Sequence, residues 1–339
     1  SGLETTGYYL VNLLLHLVNV TLVFTLVYRL SERRYAIAWI ASLLFGGALG
    51  NYGESVIWIA GRTELIATTF YLSTLMFYWT FLHTRRARDY VLTILCFIMA
   101  LFSKESTISL LPVLITLDLC KTRHQKTPLL SRLKWYIPFG ILLLPYLWLE
   151  MQLQTSNYIV YEHYYQIGWH AILNTIEYLG LMVIPVTSQS TIVPISSTGS
   201  SISLILDMGH RILQLVLLVV WAFPLIQDYH KLARFSVLWM IISILPYALF
   251  TWKTTTRYLY IPSIGFTITI AVLLDKLYRW LVKSKKLKWI WLVVSGFVVI
   301  LCVQWIVVNY LISQWNYLQS QQNTSAYESL VRLAKALGY

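Results

Sequence analysis

Residues 7–50 read GYYLVNLLLHLVNVTLVFTLVYRLSERRYAIAWIASLLFGGALG, and their pattern decides the fold class. An apolar run from Tyr8 to Tyr28 ends at a turn holding Arg29, Arg33 and Arg34, and a second apolar run starts at once. A helix that crosses a bilayer needs about 20 predominantly apolar residues. The first run has that length, and the pattern repeats downstream. Candidate segments fall at 8–28, 36–50, 64–83, 90–103, 106–120, 135–153, 210–227, 235–252, 259–281 and 288–312. The chain is 58% hydrophobic and 12% charged, with a mean hydropathy of +0.63. Soluble domains carry about 25% charged residues. The expectation is an all-α polytopic membrane protein of about ten membrane segments.

The charges sort by side. Five short turns, at Arg29–Arg34, Arg85–Arg88, Lys121–Lys134, Lys231–Arg234 and Lys276–Lys288, hold 19 of the 26 Lys and Arg residues. Short loops rich in Lys and Arg stay cytoplasmic. The alternate turns, carrying Glu54, Arg62, Lys104, Glu105 and Arg257, then face the other side. The net charge of +12 arises mostly from these turns and is no nucleic-acid signal. Fourteen Trp and twenty-four Tyr suit interfacial belts and a ligand-lined cavity. Cys96, Cys120 and Cys302 lie in or beside apolar segments and read as packing residues.

Several segments depart from the simple pattern. The pair 90–103 and 106–120 is short for full spans and is expected as a hairpin with its tip below the outer surface. Segment 168–185 carries His170, Asn174 and Glu177, so it is placed as an outer interfacial or re-entrant helix. Residues 186–209 are rich in Ser, Thr, Gly and Pro and read as a loop. Hydrophobicity stops after Trp315. This divides the chain into a membrane domain, 1–316, and an extracytoplasmic start of helical structure, 317–339, where Leu330, Leu333, Ala334 and Leu337 recur at helical spacing. Asn323-Thr324-Ser325 matches a glycosylation acceptor. The chain begins at Ser1 without an initiator Met and is expected to be part of a longer protein.

Four clusters have chemistry to offer. Asn12, His16 and Asn19 share one helix face, a costly stripe in a membrane unless it faces the bundle interior. It either shapes a site or forms an interhelical hydrogen-bond cluster. The turn GNYGESVIWIAGRTEL holds Glu54, Arg62 and Glu64, which either bind a polar ligand or pair at a helix start. FSKESTISLLP places Lys104 and Glu105 between apolar runs, where adjacent charges point to function. WKTTTRYLYIPS holds Lys253, Arg257, Tyr258 and Tyr260, and an Arg against the positive-inside bias suits a phosphate or snorkels to headgroups. No Cys/His/Asp cluster has zinc spacing, so no metal cofactor is expected.

In order, these pieces resemble the GT-C membrane glycosyltransferases, nearest the branch of protein O-mannosyltransferases and transmembrane-plus-tetratricopeptide-repeat (TMTC-type) proteins. The opening helix looks like that family's second membrane helix with its Asn/His pattern. Glu54, Gly61, Arg62, Glu64 and Leu65 look like its outer motif, Ser103 to Glu105 like its Ser-Lys-Glu motif, and Arg257 to Ser263 like its Arg-Tyr-Leu-Tyr-x-Pro-Ser motif. The resemblance implies a GT-C-like bundle and inverting transfer of a sugar, often mannose, from a polyprenyl-phosphate to an acceptor hydroxyl on a protein or glycan. The reaction would lie on the extracytoplasmic or lumenal face of a plasma or endoplasmic reticulum membrane. It implies Glu54 and Glu105 as site carboxylates, and Arg62, Lys104 and Arg257 as phosphate-side cations. Asn12, His16, Asn19, Glu64 and Tyr258 would line the substrate site, and a tetratricopeptide repeat would begin near Ser325.

Two departures stand out. The family's acidic motif, which holds its general base, is expected upstream of this sequence, in a first outer loop after a first membrane helix, so the base is expected outside residues 1–339. The His-Pro-x-His that usually precedes the outer Glu is replaced by Gly50, Asn51, Tyr52 and Gly53. The competing class is a lipid-linked-sugar transporter or a catalytically degenerate GT-C binding protein. A transporter should show internal repeats, and none is seen.

Overall fold

The computed structural model describes residues 6–47, 55–56, 61–122, 132–154, 165–182, 231–251, 256–284 and 289. The first helix, α1 (Thr6–Leu30), is inside out compared with a helix in water. Asn12, His16 and Asn19 are buried, while Leu10, Leu13, Leu14 and Leu17 are about half exposed. Hydrocarbon favours that arrangement, because polar side chains there must find partners inside the bundle. The helix stops at Ser31–Arg34. Glu32 and Arg33 take left-handed backbone (φ 57° and 69°), and the Arg33 N–H reaches back to the Tyr28 carbonyl at 2.8 Å. The chain reverses within a few residues, and α2 (Tyr35–Gly47) packs along α1.

The remaining helices are α3 (Arg62–Thr84), α4 (Ala87–Ser103), α5 (Leu110–Thr122), α6 (Ile137–Gln154), α7 (Trp169–Leu181), α8 (Lys231–Ala248) and α9 (Tyr260–Lys283). Among the described residues the regular structure is helical, apart from one isolated bridge between Tyr165 and Phe250. Contacts close a ring: α1 packs on α2 and α3, α2 on α9, α9 on α8, α8 on α5, and α5 on α3. Across its middle, Tyr71 of α3 stacks on Trp239 of α8 with ring centres 5.9 Å apart. α4 lies against α3, and α7 packs on α8. The α8–α9 crossing is close because Gly265 has no side chain. A Cβ there would stand 2.5 Å from the Ser236 carbonyl oxygen and 2.9 Å from the Met240 nitrogen. Beside it, the Ser236 and Thr269 hydroxyls bond at 2.7 Å, joining the two helices.

Among the described residues, four helices are long and apolar enough to cross a membrane: Gly7–Leu30, Arg62–Thr84, Lys231–Ala248 and Thr256–Lys283. Tyr35–Gly47 and Ile137–Leu149 are apolar but shorter. These apolar helices fit an integral membrane protein. The expected hairpin takes a different form. Lys104 is extended (φ −164°, ψ 139°) and Glu105–Ser109 form a 3-10 turn, so α4 and α5 are separated by a break. α4 leans on α3, whereas α5 leans on α8. Segments 210–227 and, but for residue 289, 288–312, the loop 186–209, the 317–339 region and residues 48–54 (Glu54 included) lie outside the described residues.

At the end bearing the basic turns, charged groups are paired. Asp275 accepts from Arg34 at 3.2 Å and from Arg279 at 2.7 Å. Buried Asp118 lies 3.8 Å from Arg132 and accepts from the Tyr136 hydroxyl at 2.8 Å, which in turn accepts from Tyr78 at 2.9 Å.

Candidate functional site

The opposite end of the ring gathers four sequence pieces: the start of α3, the break before α5, the end of α8 and the 3-10 turn Thr256–Leu259 that opens α9. Gly61 sets the first of these. A Cβ on it would run into the Ser55 carbonyl, so only glycine lets the 55–56 segment fold onto the start of α3. The Ser55 hydroxyl then donates to the Arg257 carbonyl at 2.7 Å, tying this segment to the α9 approach.

Arg62 opens α3 and braces it to α1. Its Nε donates to Asn12 Oδ1 at 3.2 Å, its Nη2 donates to the Tyr8 carbonyl at 3.3 Å, and its guanidinium lies 5.5 Å from the Tyr8 ring centre. Asn12 Nδ2 donates onward to the Val56 carbonyl at 3.1 Å. One turn deeper, His16 lies between α2 and α9. Its Nε2 faces the Gly46 carbonyl at 3.3 Å and its Nδ1 faces the Tyr260 hydroxyl at 2.8 Å. A carbonyl only accepts, so in the neutral ring Nε2 carries the proton and Tyr260 donates to Nδ1. Asn19 Nδ2 donates to the same Tyr260 oxygen at 3.2 Å and to the Leu65 carbonyl at 3.0 Å, while its Oδ1 accepts from Thr69 at 2.8 Å. The polar stripe is therefore an interhelical network that locks α1, α2, α3 and α9 beneath the site.

The ionic centre lies where α3, α5, α8 and α9 meet. Lys104 pairs with Glu64, whose side chain is 2% exposed against 15% for the lysine. Its ammonium stands 5.7 Å from the Tyr247 ring centre and 5.6 Å from that of Tyr258, and these two rings stack 4.3 Å apart. Arg257 lies over the same Tyr258 ring at 4.8 Å and donates to its hydroxyl at 2.9 Å. Two cations thus share one aromatic side chain beside a buried carboxylate. The Tyr247 hydroxyl lies beside Glu64 and Ser106. Even so, Glu64 Oε1, Tyr247 Oη and Ser106 Oγ are all buried without completing a hydrogen bond.

α7 holds the tyrosine side of this centre. The end of α8 leaves carbonyls unpaired. His170 Nε2 donates to the Leu249 carbonyl at 3.2 Å, and Asn174 Nδ2 donates to Ala248 and Phe250 carbonyls at 3.0 and 2.7 Å. Tyr178 and Leu179 pack in one cluster with Tyr247 and Tyr258. On the other face, Trp169 is 83% exposed. Its 13 residues make a helix of about 20 Å, shorter than the roughly 30 Å hydrocarbon core.

Of the residues expected at a site, Glu64, Lys104, Arg257 and Tyr258 come together, and Asn12, His16, Asn19 and Arg62 support them from α1 and α3. Glu105 is exposed, and Lys104 turns away from it to Glu64. Glu54 lies outside the described residues. Tyr247 and Ser106 were not singled out as site residues from the sequence. Ser106 stands two positions after Lys104, while Tyr247 has no local signal beyond its neighbour Pro246.

Chemically, paired cations on an aromatic face suit an anion with several acceptor oxygens, such as a phosphate. No family model matches the chain, and no solved structure does. Among curated proteins, a Caenorhabditis elegans protein named protein O-mannosyl-transferase F38B6.6 is 28% identical over 294 residues, covering 81% of this chain. The chain spans 40% of that relative's length. The similarity supports a relationship to a mannosyltransferase.

Proposed function

We propose that this chain is the membrane part of a glycosyltransferase that moves mannose from a polyprenyl-phosphate donor to an acceptor hydroxyl. The basic turns face the cytoplasm, and the Lys104–Arg257 end faces the extracytoplasmic or lumenal side. The bundle is GT-C-like with about ten membrane segments, and tetratricopeptide repeats follow it. One observation carries the reading: Lys104 and Arg257, from opposite halves of the sequence, converge on Tyr258 at the end of the ring away from the basic turns. The similarity to a protein named O-mannosyl-transferase supports the sugar and a protein acceptor.

The acceptor oxygen attacks the anomeric carbon of the sugar from the face opposite the phosphate. The new carbon–oxygen bond forms as the carbon–phosphate oxygen bond breaks, which inverts the configuration. A carboxylate takes the acceptor proton; the resemblance puts that base in an acidic motif upstream of this sequence, with Glu54 and Glu105 as further carboxylates of the site. The lipid phosphate leaves with an added negative charge, which Lys104 and Arg257 stabilise.

The test uses the full-length protein in detergent with radiolabelled polyprenyl-phosphate-mannose, following release of lipid phosphate. Removing a preorganised group that meets developing charge typically costs about 100- to 1000-fold in kcat. Arg257→Ala is expected to lose that much and Glu54→Gln at least as much. Full turnover in both variants would refute the residue roles, and a wild type inert with a panel of lipid-linked sugars would refute the transferase.

A further inference from the structure

We infer that Glu64 is a resting seat for Lys104, and that Tyr247 and Ser106 are positioning residues which take over Glu64 when an anionic ligand draws Lys104 away. This rests on the reading that Lys104 and Arg257 receive the phosphate of a lipid-linked substrate. Buried hydroxyls and carboxylate oxygens in folded proteins nearly always find partners. Here three such atoms lie together without one: Glu64 Oε1, Tyr247 Oη and Ser106 Oγ. Two are hydroxyls able to donate, and the third is a carboxylate oxygen able to accept.

The ammonium accounts for this. In the observed arrangement Lys104 neutralises Glu64, so the carboxylate needs no hydroxyl donor. An anion arriving at Arg257 would then meet a lysine whose charge is cancelled, with the negative charge of Glu64 close behind it. Lys104 already rests against the ring of Tyr258, over which Arg257 lies, so a short swing of its flexible stem gives the anion both cations. Glu64 would be left buried and charged. Tyr247 stands beside it and Ser106 stands beside Tyr247, so a small shift of these two side chains brings their hydroxyls to bear as a replacement chain of donors. Glu64 thus sets the affinity for the anion, and the two hydroxyls lower the barrier to releasing Lys104.

The experiment titrates the full chain in detergent with farnesyl phosphate, read by calorimetry, and measures thermal stability without ligand. Glu64→Gln frees Lys104 and is expected to tighten binding about tenfold. Tyr247→Phe removes a donor to a charged acceptor and is expected to weaken binding at least about tenfold. Without ligand the same variant should match or exceed wild-type stability, because it deletes an unpaired buried hydroxyl. In a Glu64→Gln background the Tyr247→Phe loss should fall below about twofold, since no carboxylate remains to be satisfied. An equal Tyr247→Phe loss in both backgrounds, or no tightening by Glu64→Gln, overturns the exchange while leaving phosphate binding in place. A Glu64→Gln/Lys104→Gln double variant that binds as tightly as Glu64→Gln alone overturns the phosphate reading and the exchange together.

Discussion

Replacing Lys104 by Met keeps a long side chain against Tyr247 and Tyr258 but strands the Glu64 carboxylate. The magnitude follows from the burial. Glu64 is 2% exposed and Lys104 15%, so neither charge is well screened by solvent. With an effective dielectric constant of about 20, two unit charges about 4 Å apart attract by about 4 kcal/mol. Breaking a buried pair from one side typically costs about 3–5 kcal/mol, because the remaining charge stays buried without compensation. The two routes agree on about 4 kcal/mol as the ceiling, reached only if Tyr247 and Ser106 do not turn their hydroxyls to the stranded carboxylate. With an unfolding entropy of about 2 cal/mol/K per residue, a loss of that size across 339 residues lowers the melting temperature by at most about 6 °C. Glu64→Gln/Lys104→Met removes both charges and should recover most of the loss, since a neutral pair of similar volume is tolerated where a lone charge is not. The assay is the fraction of monodisperse protein left after heating in detergent, for wild type, both single variants and the double. If the double variant melts no higher than Lys104→Met, the stranded charge is not the cause, and the pairing of Glu64 with Lys104 does not govern stability here.

Two further substitutions probe the scaffold beneath the site. Tyr260→Phe keeps the ring but removes the hydroxyl shared by His16 and Asn19. Interhelical hydrogen bonds in membranes average about 0.6 kcal/mol and reach about 1.7, so a loss of about 1–2 kcal/mol is expected in thermal denaturation. A variant as stable as wild type would show that the network only positions the helices. Gly265→Ala places a Cβ against the Ser236 carbonyl and the Met240 nitrogen. Backbone atoms cannot swing aside, so the α8–α9 crossing must widen at a cost of about 1–3 kcal/mol. Gly140→Ala in α6 is the control, because nothing lies within 4 Å of its Cβ. It should be neutral or stabilising by up to about 1 kcal/mol through helix propensity. Equal melting points for the two Ala variants would refute the close crossing.

Local information was enough for the helices among the described residues. The apolar runs 64–83 and 259–281 became Arg62–Thr84 and Tyr260–Lys283, because apolar length and a basic turn bound a membrane helix without reference to its neighbours. The i, i+4, i+7 spacing of Asn12, His16 and Asn19 likewise announced a buried polar stripe, since helical geometry alone puts them on one face. Its partners did not follow from spacing: Gly46, Leu65 and Tyr260 lie on three different helices. Tyr247 was equally hidden, as one of twenty-four Tyr in a chain where such residues are ordinary at interfaces and in cores.

Among the described residues, then, the sequence by itself determined which segments are helical, how apolar they are, and that charged residues sit at the ends of these helices. Hydrophobic length, helical period and charge placement are properties of contiguous residues. Only the tertiary structure decided which charge meets which. Lys104 sits in an extended break, so its neighbour Glu105 turns out to the exposed surface while the ammonium turns inward to the start of α3. Glu64, Tyr247, Tyr258 and Arg257 become its surroundings because the ring of helices brings their ends to one level. That closure depends on packing between segments far apart in the chain, which no local pattern encodes.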